Sequence, residues 1–379
     1  PDVTDETPDG SDDAADGTDE TPDDTDETPD DEPVVTHAHG AGTGAMQAFI
    51  DDSVLPRFDG EVHHAADEDA GAEAVGLGAL DDGAVLPIAG DQSVVVTTDS
   101  HVVTPPFFSG GDIGRLAVAG TVNDLAVMGA TEPLTLTCSL VVEEGVPLST
   151  VDRVLDSMRA ACEAAGCDIH TGDTKVMGSG ELDTIAVNTT GVGVVPRGEH
   201  VPDSGLSPGD ALVLSGTVGD HGIALLSERE GFDFEGDLES DVAPVNGLVR
   251  AAMDAGEVTA MKDPTRGGFA TAINEMVAKA GVGATIEERS VPVSGSVASA
   301  GEVLGIDPFD VANEGKVVLG VAAGDAAAVV SALRDHPEGR EAAVVGRVTE
   351  DHPGRVVLDT GLGRRYLSEP EGQQLPRIC

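Results

Sequence analysis

One stretch, Pro202-Asp203-Ser204-Gly205-Leu206-Ser207-Pro208-Gly209-Asp210, constrains the architecture more than any other. It consists almost wholly of turn formers, so no helix or strand can run through it. On each side a mixture of strand and helix patterns begins afresh. Before it, a short helical stretch is expected over 45–55, an irregular loop over 59–73, and a strand over 94–100 that ends in acid at Asp99. A helix follows over 112–128 and a strand over 134–142. The helix over 151–165 shows an apolar stripe of Val151, Val154, Leu155, Met158, Cys162 and Ala165. Residues 169–176 read as a polar loop, and 184–195 as a strand. After the turn-rich stretch come strands over 211–215, 284–287, 316–321 and 343–348, and helices over 220–229, 244–255 and 268–280. Strands and helices mixed in both halves predict an α+β (mixed α/β) fold of two domains, 36–204 and 205–354.

Both ends of the chain read differently. Residues 1–33 hold 16 acidic residues and no Lys or Arg, and repeat Thr-Asp-Glu-Thr-Pro-Asp at 4–9, 18–23 and 25–30. Such a segment cannot bury enough apolar surface to fold, so 1–35 is expected to be a disordered acidic tail. From 355 onward, Gly361, Gly363, Pro370, Gly372 and Pro376 interrupt any period, and a flexible arm is expected over 355–379. It ends on Cys379, which carries a thiol beside the free α-carboxylate. Arg377 favours the thiolate and the carboxylate opposes it.

The formal net charge is −50, which excludes nucleic acid and anionic membranes as partners. With no Trp and a single Tyr, the core must be made of Val, Ala and Gly. Cys138, Cys162, Cys167 and Cys379 form no CxxC pair, which points to a reducing cytosol. No apolar run approaches the ~18 residues of a membrane span, and no signal peptide is read, so a cytoplasmic protein is expected. Acidic residues also dominate after residue 33, and only four lysines stand against 16 arginines. A surface of that kind suits a salt-rich cytoplasm, where screening offsets self-repulsion, so a halophilic source is expected.

Among so many acids, the informative ones stand at apparent strand or loop ends: Asp81, Asp82, Asp99, Asp124, Asp173 and Asp263. Hard cations require oxygen ligands, and Mg²⁺ commonly binds nucleotide phosphates at the same time. Gly172-Asp173-Thr174-Lys175 and Asp263-Pro264-Thr265-Arg266-Gly267-Gly268 each combine a carboxylate, a hydroxyl, a cation and a closely approachable backbone, as a Mg²⁺–phosphate site requires. The glycine cluster 40–44 is neither a P-loop nor GxGxxG, and is equally a flexible loop. Three of the four lysines, Lys175, Lys262 and Lys316, lie in or beside motif-like segments. A chain that prefers Arg places Lys where a compact, titratable amine is needed. Lys175 and Glu314 can act as proton-transfer partners if the fold brings them together.

From about His39 to the last residue, the chain resembles the hydrogenase maturation family HypE. The resemblance is carried by Thr97-Thr98-Asp99-Ser100, Phe107–Gly114, Gly120–Ala126, Thr171–Val176, Gly219–Ala224, Arg229–Gly231, Asp263–Gly268, Val311–Lys316 and the ending Leu375-Pro376-Arg377-Ile378-Cys379. It implies a fold like that of aminoimidazole ribonucleotide synthetase, a homodimer formed through the first domain, and ATP and Mg²⁺ in a cleft. It implies Asp82, Asp99, Asp124 and Asp263 as the metal and phosphate shell, and Thr98, Asn123, Gly172, Asp173 and Thr174 as nucleotide contacts. The implied reaction is ATP-dependent dehydration of a carbamoyl group on Cys379 to a thiocyanate, with Glu314 as base and Lys175 as its partner. HypF would load the carbamoyl group, and the HypC–HypD complex would receive cyanide for the iron of a nickel–iron hydrogenase. The chain departs from the family in its acidic tail, in Thr43 where Gly is more usual, and in Ala119 where a cysteine is common. The same fold also serves selenophosphate synthetase and thiamine-phosphate kinase, neither of which explains the ending. A carrier in which Cys379 is only a relay thiol is the alternative of a different class.

Overall fold

In the computed structural model, which describes residues 34–40, 44–58, 74–232 and 238–370, the chain from Thr36 onward packs as one unit around two large sheets. The acidic repeats, residues 41–43 of the glycine cluster, the 59–73 loop, and residues 371–379 with Arg377 and Cys379 lie outside the described residues.

The first half opens with α1 (Gly44–Phe49), a single π turn and α2 (Leu55–Phe58), followed by β1 (Ala84–Pro87) and β2 (Gln92–His101). A small hairpin, β3 (Phe107–Phe108) and β4 (Gly111–Asp112), leads into α3 (Ile113–Val127). Then come β5 (Thr135–Glu143), α4 (Leu148–Ala165), β6 (Ile169–Met177) and β7 (Ile185–Pro196). The sheet runs β1-β2-β7-β5-β6. β2, β5 and β7 alternate, so one face packs on the helices and the other stays open. Asp112 caps α3, accepting from the backbone N–H groups of Gly114 (2.8 Å) and Arg115 (3.0 Å). α3 is buried on nearly every side because the sheet covers one flank and the second half the other. Its Ala126 and Val127 share a core cluster with Val245, Leu248 and Leu319.

The second half contains β8 (Ala211–Leu214), α5 (Asp220–Glu230), α6 (Asn246–Ala255), β9 (Val258–Lys262), α7 (Gly268–Ala280) and β10 (Gly283–Glu287). It continues with α8 (Gly295–Leu304), β11 (Val318–Val321), α9 (Ala326–Asp335), β12 (Ala343–Thr349), β13 (Val356–Asp359) and β14 (Arg364–Leu367). The sheet order is β14-β13-β10-β12-β8-β11-β9. β8 and β11 are central and covered on both faces. Leu212, Leu214 and Val318 pack with α7, while Val213, Leu319 and Val321 pack with α6 and α9. That is why both strands read as unbroken apolar runs.

Two expectations are corrected. Residues 169–176 are not a loop but β6, an edge strand parallel to β5. All of its residues are exposed, so it carries no alternation to read. Nor does the arm begin at 355: residues 356–359 and 364–367 are strands of the second sheet. The glycines taken as breakers turn this hairpin, with Gly361 at φ +76° and the Thr360 N–H donating to the Gly363 carbonyl (3.0 Å).

Candidate active site

Five carboxylates converge where the two halves meet. β2 points Thr97, Asp99 and His101 toward α3, since alternate residues share a face. Gly120 of α3 makes room for them: a Cβ there would lie 2.9 Å from the Asp99 carboxylate and 3.1 Å from the His101 ring. Asp124 follows one turn later and accepts from the Thr97 hydroxyl (2.7 Å). Asp263 comes from the end of β9, and Glu314 from the loop before β11. Asp82, just before β1, is held by Lys262 (2.8 Å).

The charges on this floor are poorly compensated. Burial, then Asp263, Asp99 and Asp82, push the Asp124 carboxyl well above the usual range. Burial and Asp82 raise Asp263 to about 8, against opposing pulls from Lys262 and Arg266. Burial, Asp263, Asp99 and Asp241 raise Glu314 strongly. Asp99 moves down, to about 2. Burial opposes that shift, but the His101 imidazole at 3.1 Å and Arg266 at 4.0 Å outweigh it. Among the described residues, no three His, Cys, Asp or Glu side chains close around a metal by themselves. The buried Asp82 Oδ2 nevertheless lacks a hydrogen-bond partner. A hard cation that keeps waters and phosphate oxygens needs only one or two protein carboxylates, and this floor fits one.

The residues read from sequence as site residues divide into three groups. Asp82, Asp99, Asp124, Asp263 and Glu314 come within mutual electrostatic reach. Asn123, expected as a nucleotide contact, is engaged within the chain. Its amide donates to the carbonyls of Ala243 and Glu314 (3.1 Å each), and its oxygen accepts from the Val245 N–H (2.8 Å). With its amide occupied and the side chain buried, Asn123 clasps the two halves together.

The third group lies on the open face and outer edge of the first sheet. Thr98 points away from Asp99 and contacts Thr190 (3.0 Å). Asp173 stands in register with Ser139, and Lys175 with Val141, both on that open face. They pair with each other at 2.8 Å in full exposure. Thr174 is in register with buried Leu140, so it points to the other face, beyond the sheet edge. Gly172 serves packing: a Cβ there would lie 2.1 Å from the Cys138 carbonyl oxygen. The edge strand stands three strand spacings from β2, about 14 Å. Lys175 thus stands on the open face at the outer edge of the first sheet, whereas Asp99 faces α3.

Sequence reasoning missed His101, although its two-residue spacing from Asp99 in a strand puts both on one face. It also missed Lys279, which donates to the Leu80 carbonyl and to Asp203 (2.5 Å each) and fixes the turn holding Asp82.

This arrangement, two α+β halves with an acid floor between them, matches the AIR synthase related protein family. Its N-terminal domain matches residues 80–195 and its C-terminal domain residues 207–359. Within that class, the chain is 46% identical to a hydrogenase expression/formation protein of Methanocaldococcus jannaschii, over 91% of this chain and 99% of the relative. It is 44% identical to carbamoyl dehydratase HypE of Cupriavidus necator, over 90% and 93%. A crystal structure of HypE in complex with ATP shares 39% identity and a TM-score of 0.73, covering 91% of this chain and all of that one. A HypE–HypF complex gives 39% and 0.76, covering 85% and all of that chain. The chain belongs to the HypE family. A thiamine monophosphate kinase of Aquifex aeolicus, at 20% identity and a TM-score of 0.57, shares the fold alone.

Proposed function

We propose that this chain is an ATP- and Mg²⁺-dependent carbamoyl dehydratase of hydrogenase maturation, acting on its own Cys379. The supporting observation is the floor of five carboxylates drawn from both halves, whose mutual repulsion calls for a cation. Asp82, Asp99, Asp124 and Asp263 would hold the Mg²⁺. Phosphoryl transfer from ATP would turn the oxygen of the S-carboxamide into a leaving group, and a cation held there would supply charge neutralisation for the phosphates. Glu314 then takes the N–H protons while the C–O bond breaks, leaving S–C≡N. The oxygen leaves in phosphate and the two hydrogens leave as protons, so one water is lost overall. Once ionised, a carboxylate with a raised pKa holds a proton strongly, which suits a weakly acidic N–H. Burial of Glu314 keeps water away from the reacting carbon.

Cys379 belongs on the same chain end. The Leu367 carbonyl accepts from Asn274 of α7 (3.0 Å), and the next residue, Glu275, pairs with Lys262, which holds Asp82. The chain thus leaves the second sheet at the rim of the floor. From Pro370, nine further residues span at most about 30 Å when extended. HypF would load the carbamoyl group and HypC–HypD would take the cyanide. The unpaired edge of β6 and the open face of the first sheet suit a second copy of the chain, so Lys175 would serve the partner's site.

Carbamoylated protein incubated with ATP and Mg²⁺ tests this. Cys379 is expected to lose 18 Da, the mass of one water, with release of phosphate. Cys379→Ala is expected to bind ATP without any such change. ATP binding with no mass loss in the unmutated protein would make Cys379 a relay thiol and sink the proposal.

A further inference from the structure

Asp241 lies in the segment Ser240-Asp241-Val242-Ala243-Pro244, which nothing in the sequence separates from the chain's other acidic stretches. In the fold its carboxylate is buried, and both its oxygens are in use. One accepts the backbone N–H of Glu314 (3.1 Å). The other accepts the Asn313 amide and the Lys316 ammonium (3.0 Å each). Three of the four residues 313–316 therefore hang on one carboxylate. Gly315 is the fourth, and a Cβ there would fall 1.9 Å from the Asp241 carbonyl oxygen, so only glycine allows the loop this close.

The same loop is gripped from the other side. The Glu314 carbonyl accepts from the Asn123 amide (3.1 Å), and the Asn313 oxygen accepts the Gly219 N–H (3.0 Å). The residue at 314 is thus clamped at its N–H by Asp241 and at its carbonyl by Asn123. With both ends of the residue fixed, only its side-chain torsions are left free. Segment 240–246 carries the clamp and is itself stitched to the first half: Ser240 N–H donates to the Ser109 carbonyl (2.9 Å), and Val242 sits in the first-half core.

We propose that Asp241 is a positioning residue for the dehydration, holding Glu314 where it meets the amide N–H. This rests on the reading of Glu314 as the base. The Lys316 ammonium is the counterion of Asp241 at 3.0 Å, its stem lying over Gly216. Small displacements of a base are costly: about 1 Å of misplacement can slow a reaction roughly 100-fold.

The test uses full-length, carbamoylated protein and follows the 18 Da loss in a single turnover, alongside the Kd for ATP and the thermal midpoint. Asp241→Asn keeps an acceptor for Glu314 N–H and loses the acceptor shared by Asn313 and Lys316. Its dehydration is expected to slow by about 10- to 100-fold, with the ATP Kd changed by less than about threefold. Should the buried ammonium left behind prevent folding, Asp241→Asn with Lys316→Met removes it, and the same two readings apply. Wild-type dehydration by either variant overturns the inference, whatever the thermal midpoint does. So does a loss of ATP affinity in step with the rate, which a general loosening of the fold would cause. Glu314→Gln is the control. If it still dehydrates at the wild-type rate, the assignment of the base has failed, independently of Asp241.

Discussion

Two segments with the same chemical vocabulary have opposite fates in this fold. Gly172–Lys175 and Asp263–Gly268 each join a carboxylate to a hydroxyl, a cation and glycine. Asp263 is buried among other acids and lifted to about 8 by burial and by Asp82. Asp173 lies exposed and is pulled down by Lys175 and by the Thr174 N–H. One charge is left uncompensated and demands a cation; the other is already satisfied and demands nothing. Residue types alone do not make a site. What distinguishes these segments is that β9 ends against the first half, whereas β6 is the edge of the first sheet, unpaired on its outer side among the described residues. Under the proposed function, Gly172–Lys175 would act in the site of a second copy.

The largest expected effect tests that division. Lys175→Ala should slow single-turnover dehydration by about 100-fold, in the range seen on removing a group that assists proton transfer. Glu314→Gln should be inactive. Co-expressed with Lys175→Ala chains, it should form mixed dimers that regain dehydration, because one composite site in each is intact. If the mixture stays as slow as its parents, Lys175 acts within its own chain, and the contrast between floor and edge collapses.

Asn123→Ala attacks the seam on which the floor depends. It strands the Ala243 carbonyl and the Val245 N–H in a buried place and leaves the Glu314 carbonyl only the Ala243 N–H at 3.4 Å, so a loss of about 3 kcal/mol is expected from denaturant unfolding. The residue also shows what was legible beforehand. The strongly patterned pieces could be read: the amphipathic stripe of α4, the alternation of β7, and the apolar runs of β8 and β11. β6 could not, since an edge strand exposed throughout has no period. β13 and β14 were hidden because glycines that turn a hairpin look like glycines that break a strand. Within the site, the acids of the floor follow from the family resemblance. The face of Asp99 follows from alternation along β2, which separates Thr98 from Thr97 and Asp99. The role of Asn123 across the seam could not be read from sequence, although adjacent positions on a helix point about 100° apart. Asp124 faces the floor, and Asn123 faces the second half.

A smaller effect concerns pH. Asp263 binds a proton in the folded state up to about pH 8, whereas in the unfolded chain it has released it above 3.8. Between those values the folded state holds more protons, so stability must fall as pH rises. Asp124 and Glu314 act in the same direction. Asp99, lowered to about 2, works oppositely, but only below pH 3.8. In molar salt with a chelator, the denaturation midpoint is expected to climb as pH drops from 8.5 to 5.5. Excess Mg²⁺ should flatten that slope, because a bound cation favours the ionised carboxylates. A slope that ignores Mg²⁺ would mean the floor does not hold it.

The smallest expected effect is the sharpest control. Asp173→Asn removes a carboxylate whose ion pair with Lys175 is solvated on both sides, and such pairs contribute little. Neither the denaturation midpoint nor its pH slope should change measurably. Asp263→Asn, by contrast, should remove part of the slope and raise stability in the absence of metal at pH 8, since a neutral amide relieves the floor of one repelling charge. If Asp173→Asn instead lowers stability in proportion to protein dilution, the edge strand is buried in a dimer, and its carboxylate is part of the interface. The two aspartates would then differ in which chain satisfies them, and no longer in whether they are satisfied.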